Sequence, residues 1–115
     1  MEWVMPWERE FGAEYAVPEE ILRHVRTGAL RDLSWHNDAC PSFGVPRADG
    51  TERARVWVEH PVPNDREDPR DPRFIVCIYD EGGDALGAIY LGDDVDLALG
   101  ALGQAIYGNG WDGEI

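Results

Sequence analysis

The densest group of chemically reactive side chains lies in residues 34–42, Ser-Trp-His-Asn-Asp-Ala-Cys-Pro-Ser. In an extended chain alternate side chains face the same way, so His36, Asp38 and Cys40 would share one face. Together with His60 and Cys77, they could form a zinc site or a cysteine–histidine nucleophilic pair. A hydrogen-bonded turn near the end of a strand is the simpler interpretation of this segment, and we prefer it.

The two cysteines do not strengthen the case for a metal site or a nucleophile. Neither belongs to a Cys-x-x-Cys pair: Cys77 lies in the most apolar run of the chain, and Cys40 precedes a proline. We expect both thiols to be free, as in a reducing compartment, with a Cys40–Cys77 disulfide as the minority alternative. We therefore predict no catalytic residue, no bound metal and no cofactor. A small enzyme or metal protein that uses residues 36–40 is kept as an alternative.

Carboxylates form two groups in the last third of the chain. The first group is expected on a hairpin turn and the second at a helix start, and their members are Asp80, Glu81 and Asp84, then Asp93, Asp94 and Asp96. Turn formation and helix capping explain each group locally. Because the strand predicted between them has only seven residues, we expect the groups to lie close together as an anionic binding face. A calcium loop is not indicated, since the Asp-x-Asp-x-Asp-Gly pattern is missing.

Aromatic side chains recur every four residues near the start of the chain, at Trp3, Trp7, Phe11 and Tyr15. Pro6 cannot lie inside a helix, so any helix here should begin near Pro6. Docking of this segment onto the sheet is the favoured interpretation. Because aromatic anchors are common in protein interfaces, Trp3 and Trp7 are also candidate partner-binding residues.

The charge balance restricts the class of partner. The 115 residues carry ten basic side chains, all arginine, against 23 acidic ones, which gives a formal net charge of −13. Residues 74–115 hold eight acids and no basic residue. Such a field repels nucleic acid and attracts basic proteins, so we expect no direct nucleic-acid binding. Adaptation of a cytoplasmic protein to high salt, with an unrelated function, is the alternative explanation of the acidity.

The elements that must position these residues follow from hydrophobic periodicity and turn signals. A helix is predicted over 18–29, with Pro18 in its first turn and Gly28 as its stop. Strands are predicted from residue 30, with Leu33 and Trp35 on one side, and over 42–47, 53–59, 74–79 and 85–91, and a last helix from Asp93 to near Gly108. Strand 74–79 is apolar without alternation, which predicts cover on both faces.

These elements predict one α+β domain over residues 1–115. Its architecture is an antiparallel sheet of four or five strands flanked by an N-terminal and a C-terminal helix, as a two-layer sandwich. Residues 61–73 contain four prolines among alternating charges and are predicted to be an exposed, mobile loop. The sequence shows no signal peptide and no run long enough to span a membrane, so we expect a cytoplasmic protein without a membrane partner. Monomer and dimer are both left open.

Size, acidity and the two carboxylate groups together resemble the DNA-mimic inhibitors of phages and mobile elements, which include many anti-CRISPR and anti-restriction proteins. The resemblance implies a non-enzymatic inhibitor that occupies the basic nucleic-acid channel of an immune effector complex. Such inhibitors share no common motif, so no functional residue is transferred from them to this chain.

Overall fold

The chain folds as a five-stranded antiparallel sheet with its helices on one side. A computed structural model describes residues 5–35 and 37–107. The helices are α1 Pro6–Phe11, α2 Glu19–Thr27 and α3 Val95–Tyr107, and the strands are β1 Arg31–Asp32, β2 Ser42–Pro46, β3 Glu52–Val58, β4 Phe74–Tyr79 and β5 Ala85–Gly92. The strands follow one another in the sheet as a simple meander, β1-β2-β3-β4-β5. The predicted α+β class and flanking helices are confirmed.

One face of the sheet carries the hydrophobic core. Alternation on β3 places Ala54, Val56 and Val58 on this face, and all three are fully buried. Helices and the N-terminal segment cover it with apolar side chains that include Trp7, Val17, Ile21, Leu30, Ala98 and Leu102. Sheet and helices therefore form two layers around one core.

No helix within residues 5–35 and 37–107 covers the opposite face, called here the open face. Its side chains on the central strands, Trp57, Ile75 and Cys77, are only partly buried, whereas Phe74 and Val76 on the core face are buried. The prediction that strand 74–79 is covered on both faces was wrong. Loops cover part of the open face. The Leu33 side chain, for example, packs against Gly44: a Cβ atom added to Gly44 would lie only 2.5 Å from Leu33 Cδ1.

The N-terminal segment docks onto the core. Helix α1 begins at Pro6 as predicted and ends before Gly12, which has a φ of +97°. Trp7 is 6% exposed and belongs to the core, so in this fold it is a packing residue and not a surface anchor for a partner. Trp3 lies outside the described residues.

Two predicted element boundaries need correction. The last helix is capped by Asp94 and not by Asp93: the Asp94 Oδ1 accepts hydrogen bonds from the Asp96 and Leu97 amides at 2.9 and 3.2 Å. The strand predicted from Leu30 to about Asp38 is only β1, because the Asp32 carboxylate accepts a hydrogen bond from the Ser34 amide at 3.0 Å and turns the chain.

The proline-rich segment 61–73 is mostly exposed but is organised around one buried side chain. The Arg66 guanidinium donates to the His60 and Asp71 carbonyls, both at 2.7 Å. These bonds link the two ends of the segment. The mobility of segment 61–73 stays a prediction. The hydrogen bonds of Arg66 restrict the motion of this segment.

None of the described helices combines the length and hydropathy needed to cross a lipid bilayer.

Candidate partner-binding surface

The first acidic group, called here the turn group, consists of Asp80, Glu81 and Asp84. Asp80 closes the β4–β5 hairpin: its amide donates to the Asp84 carbonyl at 2.9 Å, and its Oδ1 accepts from the Gly82 and Asp84 amides, both at 2.9 Å. Glu81 and Asp84 are exposed. The turn therefore uses one carboxylate and presents the other two to solvent.

The second acidic group, called here the helix group, consists of Asp93, Asp94 and Asp96. Asp93 Oδ1 accepts from the Arg73 amide at 2.8 Å and lies 3.8 Å from the Arg66 guanidinium. Asp94 caps α3, and its charge and that of Asp96 lie at the positive end of the helix. All three residues are exposed. Their structural contacts involve single oxygens, so the group still presents negative charge outward.

The two groups do not form the close cluster that we predicted. Strand β5 runs between them, and eight extended residues span about 26 Å. We expected the groups to be close in space because few residues separate them in the sequence. An extended strand, however, holds its two ends far apart. The arrangement is instead an uncharged strand with an anionic group at each end.

Several arginines turn their charge inward, which the sequence did not indicate. The Arg47 guanidinium donates to the carbonyls of Glu52, Tyr79 and Asp80 at 2.7–3.0 Å. Arg73 donates in the same way to three carbonyls at 2.8–3.2 Å, those of Tyr15, Ala16 and Glu59. With Arg66, these side chains serve as hydrogen-bond donors to the backbone. Arg66 is buried and Arg47 and Arg73 are partly buried, so these three guanidinium groups are less exposed to a partner than that of Arg70, which is 90% exposed.

A pocket of about 260 Å³ opens on the open face. It lies between β3, β4 and two loops, and its lining residues are Ala39, Cys40, Trp57, Glu59, Glu67, Asp71, Ile75 and Cys77. The Arg55 guanidinium stacks on the Trp57 ring, 4.5 Å from its centroid. Apolar side chains form the floor of the pocket, and carboxylates form one side.

The three pocket carboxylates are a group that sequence reasoning missed. Ligand oxygens of Glu59, Glu67 and Asp71 lie within 4.8 Å of one another, a spacing that could hold one hard cation. Glu59 is 4% exposed, and burial together with the neighbouring Asp71 and Glu67 raises its pKa. Only the folding of segment 61–73 around Arg66 brings these residues together, and the sequence spacing gives no signal of that folding.

Two members of the reactive constellation considered from the sequence, Cys40 and Cys77, line the same pocket. No three of its described members lie within metal-binding distance of one another. Cys40 is 4% exposed, and burial, followed by the charges of Glu59 and Asp38, raises its pKa to about 12. Its thiol is therefore protonated at neutral pH and is a poor nucleophile. Both cysteines are free, so the disulfide alternative is not formed, and burial also raises the pKa of Cys77.

The remaining members of that constellation have other contacts. His60 Nδ1 accepts from the Val62 amide at 3.0 Å, and its ring packs edge-on against Tyr15. The Asp38 carboxylate lies 3.9 Å from the Arg55 guanidinium. His36 lies outside the described residues. Structural roles account for His60 and Asp38.

Comparisons with protein-family models, with curated proteins and with solved structures found no match.

Proposed function

We propose that this protein is a non-enzymatic inhibitor that binds a basic nucleic-acid-binding protein through its acidic surface. It would occupy the nucleic-acid site of its partner, as in a CRISPR effector complex, and exclude the nucleic acid sterically and electrostatically. Such complexes lie in the cytoplasm, which is the proposed site of action. The turn group and the helix group are the proposed contact residues.

The observation that carries the proposal is the exposure of two acidic groups at the two ends of an uncharged strand. The turn and helix groups place carboxylates on the surface, whereas Arg47, Arg66 and Arg73 point their guanidinium groups at backbone carbonyls. Carboxylates about 26 Å apart can pair with basic groups at two points of a nucleic-acid channel.

The test is displacement of labelled DNA. Purified CRISPR effector complexes and restriction enzymes are each loaded with fluorescent target DNA, and this protein is added. We expect release of DNA from at least one of them, with a midpoint that rises with DNA concentration. We also expect the affinity to fall steeply from about 50 to 300 mM NaCl, since carboxylates that replace phosphates form ionic contacts.

A matched pair of variants assigns the effect to the proposed residues. The triple variant Glu81→Gln, Asp84→Asn and Asp96→Asn removes three exposed charges of the turn and helix groups and should weaken displacement about tenfold or more. The control removes three exposed charges elsewhere, with Glu8→Gln, Glu14→Gln and Asp65→Asn. Equal loss in both variants, inhibition indifferent to DNA and salt, or release from none of the complexes would contradict the proposal.

A further inference from the structure

Strand β5 is an edge of the sheet, and it is long and uncharged. It is the last strand of the meander, and no other strand in residues 5–35 and 37–107 pairs with its outer side. Its eight residues include no charge and no proline, and Leu86, Ile89 and Leu91 are 62%, 41% and 62% exposed. The other edge, β1, has two residues, Arg31 and Asp32, both charged. Natural proteins protect edges with short strands, charges, prolines or β-bulges; β1 is short and charged, whereas β5 has only the shifts in its register with β4.

The hydrogen-bonding pattern of β4 shows which backbone groups face its two neighbours. The Val58 amide donates to the Pro41 carbonyl at 2.9 Å, so even-numbered residues of β3 face β2 and odd-numbered ones face β4. Trp57 pairs with Ile75, so Ile75 faces β3. In an antiparallel ladder successive residues alternate between neighbouring strands, so even-numbered residues of β4 face β5. The hairpin agrees, because the Asp80 amide donates to the Asp84 carbonyl.

The backbone amide and carbonyl of Leu91 therefore face away from β4. Phe74 pairs with Gly92 and Val76 pairs with Tyr90. Gly92 and Tyr90 therefore direct their amides and carbonyls towards β4, and Leu91 between them directs its amide and carbonyl outward. These groups are available to an added strand.

The flanking charges determine what kind of strand can be added. A second copy that paired antiparallel along β5 would place its helix group beside this chain's turn group. In parallel pairing, like groups would lie side by side. Both arrangements bring carboxylates together, and like charges in contact cost binding free energy. A segment with basic residues at both ends would instead meet opposite charge at both ends of β5.

We propose that β5 binds, by strand addition, an extended and uncharged segment of the partner protein that is flanked on both sides by arginine or lysine. Main-chain hydrogen bonds to the outward groups of β5 supply affinity, and the turn and helix groups select the basic flanks. Shifts in register at Val76/Cys77 and Ile78/Tyr79 bend the edge, which further restricts the segments that fit. This inference rests on the proposed function, because it identifies how the basic partner is held.

The probe is a fluorescein-labelled synthetic peptide with a core of about six alternating valines and threonines, long enough to pair with most of β5, and two arginines at each end. We expect saturable binding by fluorescence anisotropy. A peptide with glutamate in place of arginine, and one with two prolines in the core, should each bind at least about tenfold more weakly. Equal binding of the arginine and glutamate peptides would overturn the proposed selection by charge.

Substitution at Leu91 separates the backbone from the side chain. Leu91→Pro removes the outward amide without removing a bond of the β4–β5 ladder, and Leu91→Ala keeps the amide but shortens the side chain. We expect the proline variant to bind the peptide at least about tenfold more weakly than the alanine variant. Equal binding by the two variants would overturn the proposal.

Hydrogen exchange on the unmodified protein gives a second measurement that does not depend on how the proline variant folds. The Leu91 amide should exchange rapidly in the free protein and slowly with the arginine peptide. Protection in the free monomer, or no gain with peptide, would overturn the proposal. So would a dimer that Leu91→Pro dissociates, since a second copy would then occupy the edge.

The DNA-displacement assay distinguishes failure of this inference from failure of the proposed function. If both Leu91 variants displace DNA equally well, the acidic surface acts without the edge, and the proposed function stands alone. If the peptide binds as expected but no DNA is displaced, the edge site stands and the proposed inhibition fails.

Discussion

Several arginines in this protein act as hydrogen-bond donors to the backbone or stack on an aromatic ring. Arg47, Arg66 and Arg73 donate hydrogen bonds to carbonyls, and Arg55 stacks on Trp57. A guanidinium presents five donors, so one side chain can satisfy several buried carbonyls at once. Arginine is suited to this task, whereas lysine, which the chain lacks, offers a single rotating ammonium group.

Glu59 shows the opposite case, a buried carboxylate with acidic neighbours. Burial and the charges of Asp71 and Glu67 raise its pKa, so folding favours its protonated form. The stabilising effect of protonation is therefore present at low pH and is lost as the pH rises through the pKa of the folded state. At neutral pH the ionised side chain destabilises the fold.

We accordingly predict that Glu59→Gln raises the free energy of unfolding at pH 7 by about 1 kcal/mol. Glutamine keeps the acceptor for the His60 amide and removes the charge. The difference from the unmodified protein should shrink below the ordinary carboxyl value of 4.5, where Glu59 is protonated in both states. Urea unfolding across this pH range measures it, with the exposed substitution Glu81→Gln as control. A difference that does not change with pH would contradict the prediction.

At the scale of elements, two segments control what the open face presents. Segment 61–73 brings Glu67 and Asp71 beside Glu59, and segment 37–41 contributes Cys40 to the same pocket. The first depends on Arg66, whose side chain is 4% exposed and donates to carbonyls at 2.7 Å from both ends of the segment. The buried Arg66 side chain therefore holds the loop together by hydrogen bonds to its backbone.

Replacement of Arg66 should release this loop. We predict that Arg66→Ala lowers the free energy of unfolding by about 2–3 kcal/mol, because buried carbonyls lose their donors. Segment 61–73 should also become sensitive to limited proteolysis. Arg70→Ala is the matched control: its side chain is 90% exposed and pairs with Asp68, so its loss should leave the free energy of unfolding nearly unchanged. Similar effects of the two substitutions would show that Arg66 does not organise the loop.

Local signals predicted most of the elements. Periodicity together with Pro18 and Gly28 gave α2, and apolar runs bounded by turn residues gave β2 to β5 close to their observed ends. Errors arose where a side chain competes with the backbone, as when Asp32 ends β1, and where loops replace a helical layer over Ile75 and Cys77. Hydrophobic periodicity reports neither the local hydrogen bond of Asp32 nor the path of the loops.

The candidate site was less predictable than the fold. The turn group was identified correctly as turn residues, and the helix group lies at a helix start as predicted, although Asp94 and not Asp93 is the cap. Their separation by β5 reversed the expected proximity. The pocket carboxylates and the inward arginines gave no sequence signal, because both depend on long-range contacts such as Arg73 with Tyr15. Composition gives net charge, and only the fold gives its distribution.

At the scale of the whole molecule, a net charge of −13 on 115 residues destabilises the compact state through self-repulsion. Salt screens this repulsion, and the Debye length falls to about 10 Å at 0.1 M. Screening is then nearly complete for charges as far apart as the two ends of β5. Adaptation to high salt, the alternative explanation of the acidity, instead requires stability that continues to rise up to molar salt.

We predict that the melting temperature rises between about 20 and 200 mM NaCl and then levels off. A gain of about 1 kcal/mol corresponds to roughly 4–8 °C for a domain of this size. The triple variant Glu81→Gln, Asp84→Asn and Asp96→Asn should melt higher at low salt and gain less from added salt, because it begins with less repulsion. Thermal unfolding followed by circular dichroism over a salt series measures both. A melting temperature that keeps rising steeply to about 2 M would favour salt adaptation, because screening by itself is complete well below that concentration.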